Sequence, residues 1–474
     1  MPKIPLIVDM DGTLSRIDTL HEALLGLISR RPAKLLSMIG WLKGGKAAFK
    51  AKVNAEIALD PSLLPLREEV VDLITEARGE GRPVLLVSAS HQDQVDGVAT
   101  HTDLFDEAVG SDASRNLAGA EKAKWLIDRF GEGGFDYVGD SSADLKVWPH
   151  AREAICVGAS ATVRAQLASS HDNVRELDRA ASPVASARVY LKAMRPHQWL
   201  KNMLVFVPML AAHNFGAFLP SLFAFASFCL AASSIYLIND MLDLEADRRH
   251  PRKRNRPLAS GALPIKQGLI QSALLILGSL AFGLLVDPFF MAVLIGYVGL
   301  TTVYSLVLKR KLMIDIWTLG ALYTVRIIAG AAATGIPLSE WLLAFSMFLF
   351  LSLAAVKRQS ELADLKIRGK EETDGRGYRV SDLPILLGVV LSAGYASVLV
   401  LALYVSSATS TGLYSQPKFF WLVCPLLLYW ISRATIISYR GEMDDDPIVF
   451  ALKDRVSQIV FACAALLIVV SATL

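Results

Sequence analysis

The chain has 474 residues, 53% of them hydrophobic and 20% charged, with a formal net charge of +3 and a mean hydropathy of +0.41. That length allows two or three domains, the apolar content exceeds what a soluble globular chain carries, and so small a net charge argues against a nucleic-acid partner, which would demand a dominant basic face. The four cysteines, Cys156, Cys229, Cys424 and Cys463, show no metal or disulfide spacing and read as packing residues.

The N-terminal MPKIPLIVDMDGTL has a short apolar run broken by acids and does not read as a signal peptide. Within it, residues 4–8 (IPLIV) predict a short buried strand whose carboxyl end presents Asp9, Asp11 and Gly12, the crevice geometry of an open parallel sheet. A second strand-like run, PVLLV, ends at Ser88. Lys122 opens the helical run EKAKWLIDRF, and a third strand-like run, FDYVG, ends in Gly139-Asp140-Ser141-Ser142-Ala143-Asp144. Singly these are ordinary: Ser88 a turn residue, Lys122 a surface helix residue, Asp140 and Asp144 turn or capping acids. Together, in order and at the ends of four elements, they form a pattern.

That pattern resembles the haloacid dehalogenase-type phosphatases, with DMDGTL as the first motif and Ser88, Lys122 and the Asp140–Asp144 stretch at the second, third and fourth. The resemblance implies an α/β Rossmann-like domain with a helical cap over residues 1–180. Asp9 would be the nucleophile and Asp11 the acid/base. Ser88 and Lys122 would bind phosphoryl oxygens. Asp9, Asp140 and the backbone carbonyl of Asp11 would hold Mg²⁺, with Asp144 supporting that site. A carboxylate attacks a phosphoryl group only when both negative charges are offset, which a lysine and a divalent cation do. A degenerate or regulatory domain is the alternative.

Between the first motif and Ser88 lies a helical insertion, residues 18–78, where that family carries its cap. Its AKLLSMIGWLKGGKAAFK segment mixes Leu35, Leu36, Met38, Ile39, Trp41 and Leu42 with Lys34, Lys43, Lys46 and Lys50. Such a stripe either rests on anionic lipid or is the face a cap packs inward. Residues 158–190, rich in Ala, Ser and Arg, end the soluble domain. An interfacial segment, 181–198, leads to the bilayer, where Arg195, His197, Trp199 and Lys201 suit an anchor.

Apolar stretches long enough to cross a membrane fall at 200–217, 219–239, 268–286, 289–308, 312–334, 340–356, 383–404, 418–438 and 456–473, nine in all. Positive charge follows the second, fourth, sixth and eighth. The positive-inside rule therefore predicts a multi-pass protein with the N-terminal domain in the cytoplasm, and a bacterial-type inner membrane is the expected location.

After the second stretch comes NDMLDLEADRRHPRKRNRPLASG, residues 239–261. On one helix Asp240, Asp243 and Asp247 fall within a roughly 60° arc, with Asn239 on its flank. Acids at a membrane boundary are costly and suit a divalent cation bridging to phosphate. Six basic residues follow at once, from Arg248 to Arg256.

NDMLDLEAD fits the NDxxDxxxD motif of the UbiA-type intramembrane prenyltransferases, and the longer stretch is most similar to their decaprenyl-phosphate phosphoribosyltransferase branch. The resemblance covers residues 199–474 and implies an all-α membrane bundle of nine transmembrane helices. It implies Mg²⁺ held by Asp240, Asp243 and Asp247, and phosphoribosyl pyrophosphate and a polyprenyl phosphate lipid as partners. Arg249, Lys253, Arg254 and Arg256 would grip phosphates. Lys201, in RPHQWLKN, is similar to a cavity-facing basic residue of the family, and Tyr304, Lys309 and Asp315 resemble its second polar motif. That motif departs from the DxxxD of many aromatic prenyltransferases, since Leu319 stands where a further acid would be. Arg326 and Lys357 complete the candidates: the first lies in a span, where charge is expensive, and the second is equally a positive-inside anchor. An aromatic prenyltransferase with an unrelated fused phosphatase, and a transporter with a regulatory soluble domain, remain open alternatives.

Overall fold

The computed structural model describes residues 3–41, 45–112, 115–178, 183–372, 377–407, 414–443 and 446–473. The chain divides into two compact units, residues 1–194 with 237–271, and residues 195–236 with 272–474.

In the first unit six parallel strands form one sheet in the order β3-β2-β1-β4-β5-β6: β1 Leu6–Val8, β2 Val84–His91, β3 Glu107–Ser111, β4 Asp136–Gly139, β5 Glu153–Cys156 and β6 Val174–Glu176. The chain works outward from β1 to β3 and then returns to β4 on the other side, so the crevice of the switch point opens between the carboxyl ends of β1 and β4. β1 is buried on both faces, as its continuous Leu-Ile-Val run requires. Leu6 and Val8 join one apolar layer and Ile7 the other. The helix Glu68–Gly79 closes the first layer with Val70, Leu73, Ile74 and Ala77, spaced along one stripe.

The helices Thr19–Arg30 and Gly45–Glu56 have a small apolar cluster of their own, Ala23, Leu27, Val53 and Ile57, onto which Met38, Trp41 and Phe49 pack. The cap stripe, as far as it is described, is therefore an inward face. Leu42 and Lys43 lie outside the described residues, and so do the side chains of Leu35, Leu36, Ile39 and Lys46.

Elsewhere the chain forms eight helices long and apolar enough to cross a membrane among the described residues: Phe215–Leu242, Ile265–Leu284, Pro288–Leu306, Ile314–Thr334, Glu340–Ile367, Val380–Val405, Pro417–Tyr439 and Arg455–Thr473. Nine were expected. The first expected stretch, 200–217, is wound as 3-10 turns over Pro196–Phe206 and then as a short helix, Val207–Ala211. Pro208 has no N–H to give an α-helix entering from before it, and His213 at φ 51° ends the run. Large apolar side chains such as Leu274, Leu284, Phe289, Leu399 and Leu466 stand exposed, as lipid-facing residues do and a water-soluble surface rarely allows. This is a multi-pass membrane protein.

Candidate functional site

A buried polar cluster occupies the crevice between β1 and β4. Asp9 follows β1, and its Oδ1 accepts from Lys122 Nζ at 2.8 Å and from the Met10 N–H at 2.9 Å. Lys122 reaches it from the start of the helix Ala120–Phe130 and also donates to Tyr137 Oη at 2.9 Å, which in turn donates to Asp144 Oδ1 at 2.6 Å. Asp144 accepts from the N–H groups of Asp140 and Ser141 through its other oxygen, at 3.2 and 3.0 Å, and so shapes the turn after β4. Ser88 is fully buried on β2, its hydroxyl accepting from the Ser90 N–H at 3.1 Å. Asp11 is held from two sides, by the Thr19 N–H at 2.9 Å and by the Ser90 hydroxyl.

Oxygens of Asp9, Asp140 and Asp144 lie within 4.8 Å of one another. Burial first, and then the neighbouring Asp144 and Asp9, push the Asp140 carboxyl up to about 8. Asp9 is raised to about 6, again chiefly by burial, with Lys122 pulling the other way. Three clustered carboxylates with one lysine among them fit a divalent cation of the Mg²⁺ type. Gly12 (φ +78°) leaves the room: a Cβ there would stand 2.2 Å from Asp140 Oδ2.

The acidic stretch lies in the same compact unit. The helix Phe218–Leu242 ends just before Asp243, and a short helix, Leu244–Arg249, follows. Asp240 and Asp247 are both buried, and both take ion pairs from one guanidinium, that of Arg256. A cation already sits between these two acids, so the place accepts positive charge, and all-oxygen donors suit Mg²⁺. Asn239 Oδ1 is buried with no hydrogen-bond partner. Arg249 pairs with Glu245 at 2.8 Å and with Asp60 at 3.5 Å. Lys253 is half-buried and Arg254 exposed.

The second unit carries three further polar clusters. Lys201 is buried, ion-paired to Asp446 and hydrogen-bonded to Gln198 at 2.6 Å; Lys357 stands 3.9 Å from the same Asp446 oxygen. Arg326 donates to Asn202 Oδ1 at 2.7 Å and to Tyr297 Oη at 3.0 Å, and its guanidinium lies 5.0 Å from the Tyr297 ring centroid. Asp315 and Arg358 are fully buried and joined by two hydrogen bonds, at 3.0 and 2.6 Å, with Tyr378 also donating to Asp315. Tyr304 is half-buried. Lys309 is half-buried on the turn Leu308–Arg310.

Residues 203–470 match the UbiA prenyltransferase family, more than half of the chain. This protein belongs to that family. It is 39% identical to y4nM of Sinorhizobium fredii (strain NBRC 101917 / NGR234) over 98% of this chain and 90% of that one. It is 40% identical to the nodulation protein NoeC of Azorhizobium caulinodans over 56% of this chain and 87% of that one. It is 35% identical to the decaprenyl-phosphate phosphoribosyltransferase of Mycolicibacterium smegmatis over 57% of this chain and 88% of that one.

Several polar residues of this UbiA-family chain escape a sequence reading. Tyr137, Thr19 and Ser90 join the N-terminal cluster, but only tertiary contact brings them there. Asp446 sits in the last connection, whose acidic run is polar enough in sequence to cover a site but reads more simply as a solvated loop; Asp444 and Asp445 lie outside the described residues. The signal was its neighbour: Asp446 caps the helix Pro447–Lys453 ahead of a proline. Asp454, an acid of the same connection, is bound by Arg433 and caps the last helix through Ser457.

Proposed function

We propose that this UbiA-family enzyme transfers 5-phosphoribose from phosphoribosyl pyrophosphate to a polyprenyl phosphate, and that its N-terminal domain is a phosphatase that removes the 5-phosphate from the lipid product. The observation that carries the first half is the 35% identity to a decaprenyl-phosphate phosphoribosyltransferase, extending over 88% of that protein. The second half is supported by the Asp9, Asp11, Lys122 and Asp140 constellation in one crevice.

In the transfer, an oxygen of the lipid phosphate attacks the anomeric carbon of the ribose, the bond from that carbon to the pyrophosphate oxygen breaks, and pyrophosphate leaves. Charge on the leaving group is the main barrier. Asp240, Asp243 and Asp247 would hold Mg²⁺, with Arg256 released to the phosphates it resembles a partner for; Arg249, Lys253 and Arg254 are the further cations nearby in sequence, and arginine favours bidentate phosphate contacts. Lys201 and Lys357, two cations against the single acid Asp446, would meet a phosphate, and Arg326 is a further buried cation of the same unit.

In the phosphatase, Asp9 attacks the phosphoryl group to form an aspartyl phosphate, while Asp11 gives its proton to the departing sugar oxygen. Asp11 then takes a proton from the water that hydrolyses the intermediate. Lys122 keeps Asp9 ionised and meets the phosphoryl oxygens, with Ser88 on the other side. Asp9, Asp140 and the Asp11 carbonyl would hold Mg²⁺, with Asp144 in support, and the ion would supply charge neutralisation there as at the acidic motif. The alternating loop charges support an inner-membrane protein with both sites on the cytoplasmic side.

The test is incorporation of label from phosphoribosyl pyrophosphate into polyprenyl phosphate by purified protein with Mg²⁺. Lipid-extractable label in the wild type and none in Asp243→Asn is the expected result; no label in the wild type overturns the transfer.

A further inference from the structure

Arg248, the first of the six basic residues after the acidic motif, turns away from the acids. It is 8% exposed, and its guanidinium donates to Glu22, which is equally buried, and through Nε to the Ala259 carbonyl at 2.8 Å. Glu22 belongs to the first cap helix, Thr19–Arg30, whose opening N–H holds Asp11. The far end of that helix is fixed as well, since Arg30 pairs with Glu245. A third contact comes from Arg249, which reaches Asp60 of the cap at 3.5 Å.

The same loop also seats on the hinge. Two segments join cap to sheet: Leu14 to Ile17, and Leu64 to Arg67. They are bonded to each other by Arg16 N–H to Pro65 O at 2.9 Å and by Arg67 N–H to Leu14 O at 2.8 Å. Gly261, at φ +71°, lies against both: a Cβ on it would meet Arg16 Cβ at 2.8 Å, Ile17 Cγ2 at 3.3 Å and Pro65 Cγ at 3.4 Å. Residues 245–261 therefore hold the cap at its first helix, at Asp60 and at both joining segments.

We infer that the acidic-motif loop is a latch on the phosphatase cap, with Arg248 as its positioning residue through the buried pair with Glu22. Resting on the proposed functions of the two sites, this deepens them into a coupling. Asp247 and Arg248 are consecutive on one short helix, so the acid that pairs with Arg256 and the arginine that holds the cap move together. Rearrangement at the transferase motif reaches the phosphatase hinge without a ligand passing between them. The cap can swing only if the loop moves with it or the Glu22–Arg248 pair breaks.

The test uses the full-length protein in detergent with Mg²⁺, as wild type, Glu22→Gln, Arg248→Gln and the swapped pair Glu22→Arg with Arg248→Glu. Hydrogen exchange at residues 14–17 and 64–67 is read together with kcat and KM for p-nitrophenyl phosphate. A loosened latch raises the open, binding-competent fraction, so each single variant is expected to speed hinge exchange and lower KM by about threefold or more at little-changed kcat, and the swap to restore both. Unchanged exchange in both single variants, or a change that the swap does not reverse, overturns the latch. Hinge exchange is readable whether or not the ester is hydrolysed. A wrong phosphatase assignment thus shows as absent wild-type turnover, and a wrong latch as unchanged exchange.

Discussion

Lys122 Nζ lies 2.8 Å from Asp9 Oδ1, joining residues 113 apart in sequence into one buried ion pair. Tyr137 fixes the lysine from the other side at 2.9 Å. The pair gives a carboxylate inside the protein a positive neighbour that favours its ionised form, as the proposed nucleophile requires. Lys122→Met is expected to lower phosphatase kcat by about a hundredfold or more, while label transfer from phosphoribosyl pyrophosphate to the lipid persists. Hydrolysis of p-nitrophenyl phosphate and the transfer assay, run on the same preparation, check this.

The raised carboxyls set a pH dependence for the metal-free protein. Asp140 at about 8 and Asp9 at about 6 keep protons in the folded state that the unfolded chain, with the ordinary value of 3.8, releases earlier. Folded protein binds more protons than unfolded between those limits, so in chelator stability falls as pH rises from about 4 to about 8 and is level beyond. A divalent cation removes that penalty. The rise in melting temperature on adding Mg²⁺ is therefore expected to be larger at pH 8 than at pH 6, measured by thermal unfolding in detergent.

Gly12→Ala places a methyl 2.2 Å from Asp140 Oδ2 at a backbone φ of +78°. The expected cost is about 1–3 kcal/mol of stability with loss of phosphatase turnover. Lipid labelling should survive, because no residue of the acidic motif is touched. Thermal unfolding and the two activity assays separate these effects.

Asp315 and Arg358 are a fully buried pair in the second unit. Removing one partner strands a charge, so Arg358→Ala is expected to cost about 3–5 kcal/mol, whereas Asp315→Leu with Arg358→Met costs much less. Unfolding of both variants in detergent is the comparison to make.

What the sequence made legible follows from how local each signal is. The four motifs that resemble those of a phosphatase sit at strand or helix ends, where a buried apolar run stops at a polar residue, and Asp9, Ser88, Lys122 and Asp140 all appear at such boundaries. The acidic motif is equally local. By contrast Arg248 reads as one more basic residue in a run of six, and its partner Glu22 lies 226 positions away. Asp446 is hidden in the same manner, since its lysines come from two distant helices. The missing ninth long helix has another cause: a hydropathy window counts apolar side chains over 200–217 and is blind to Pro208, whose absent N–H breaks the helix.

The most direct test of the account is the mass of the lipid product made from polyprenyl phosphate and phosphoribosyl pyrophosphate by wild type and by Asp9→Asn. The expected result is polyprenyl-phosphoryl ribose from the wild type and the same lipid still carrying its 5-phosphate from Asp9→Asn. Identical products from the two proteins, or a prenylated aromatic acid formed from prenyl diphosphate in place of any lipid-linked pentose, would contradict it.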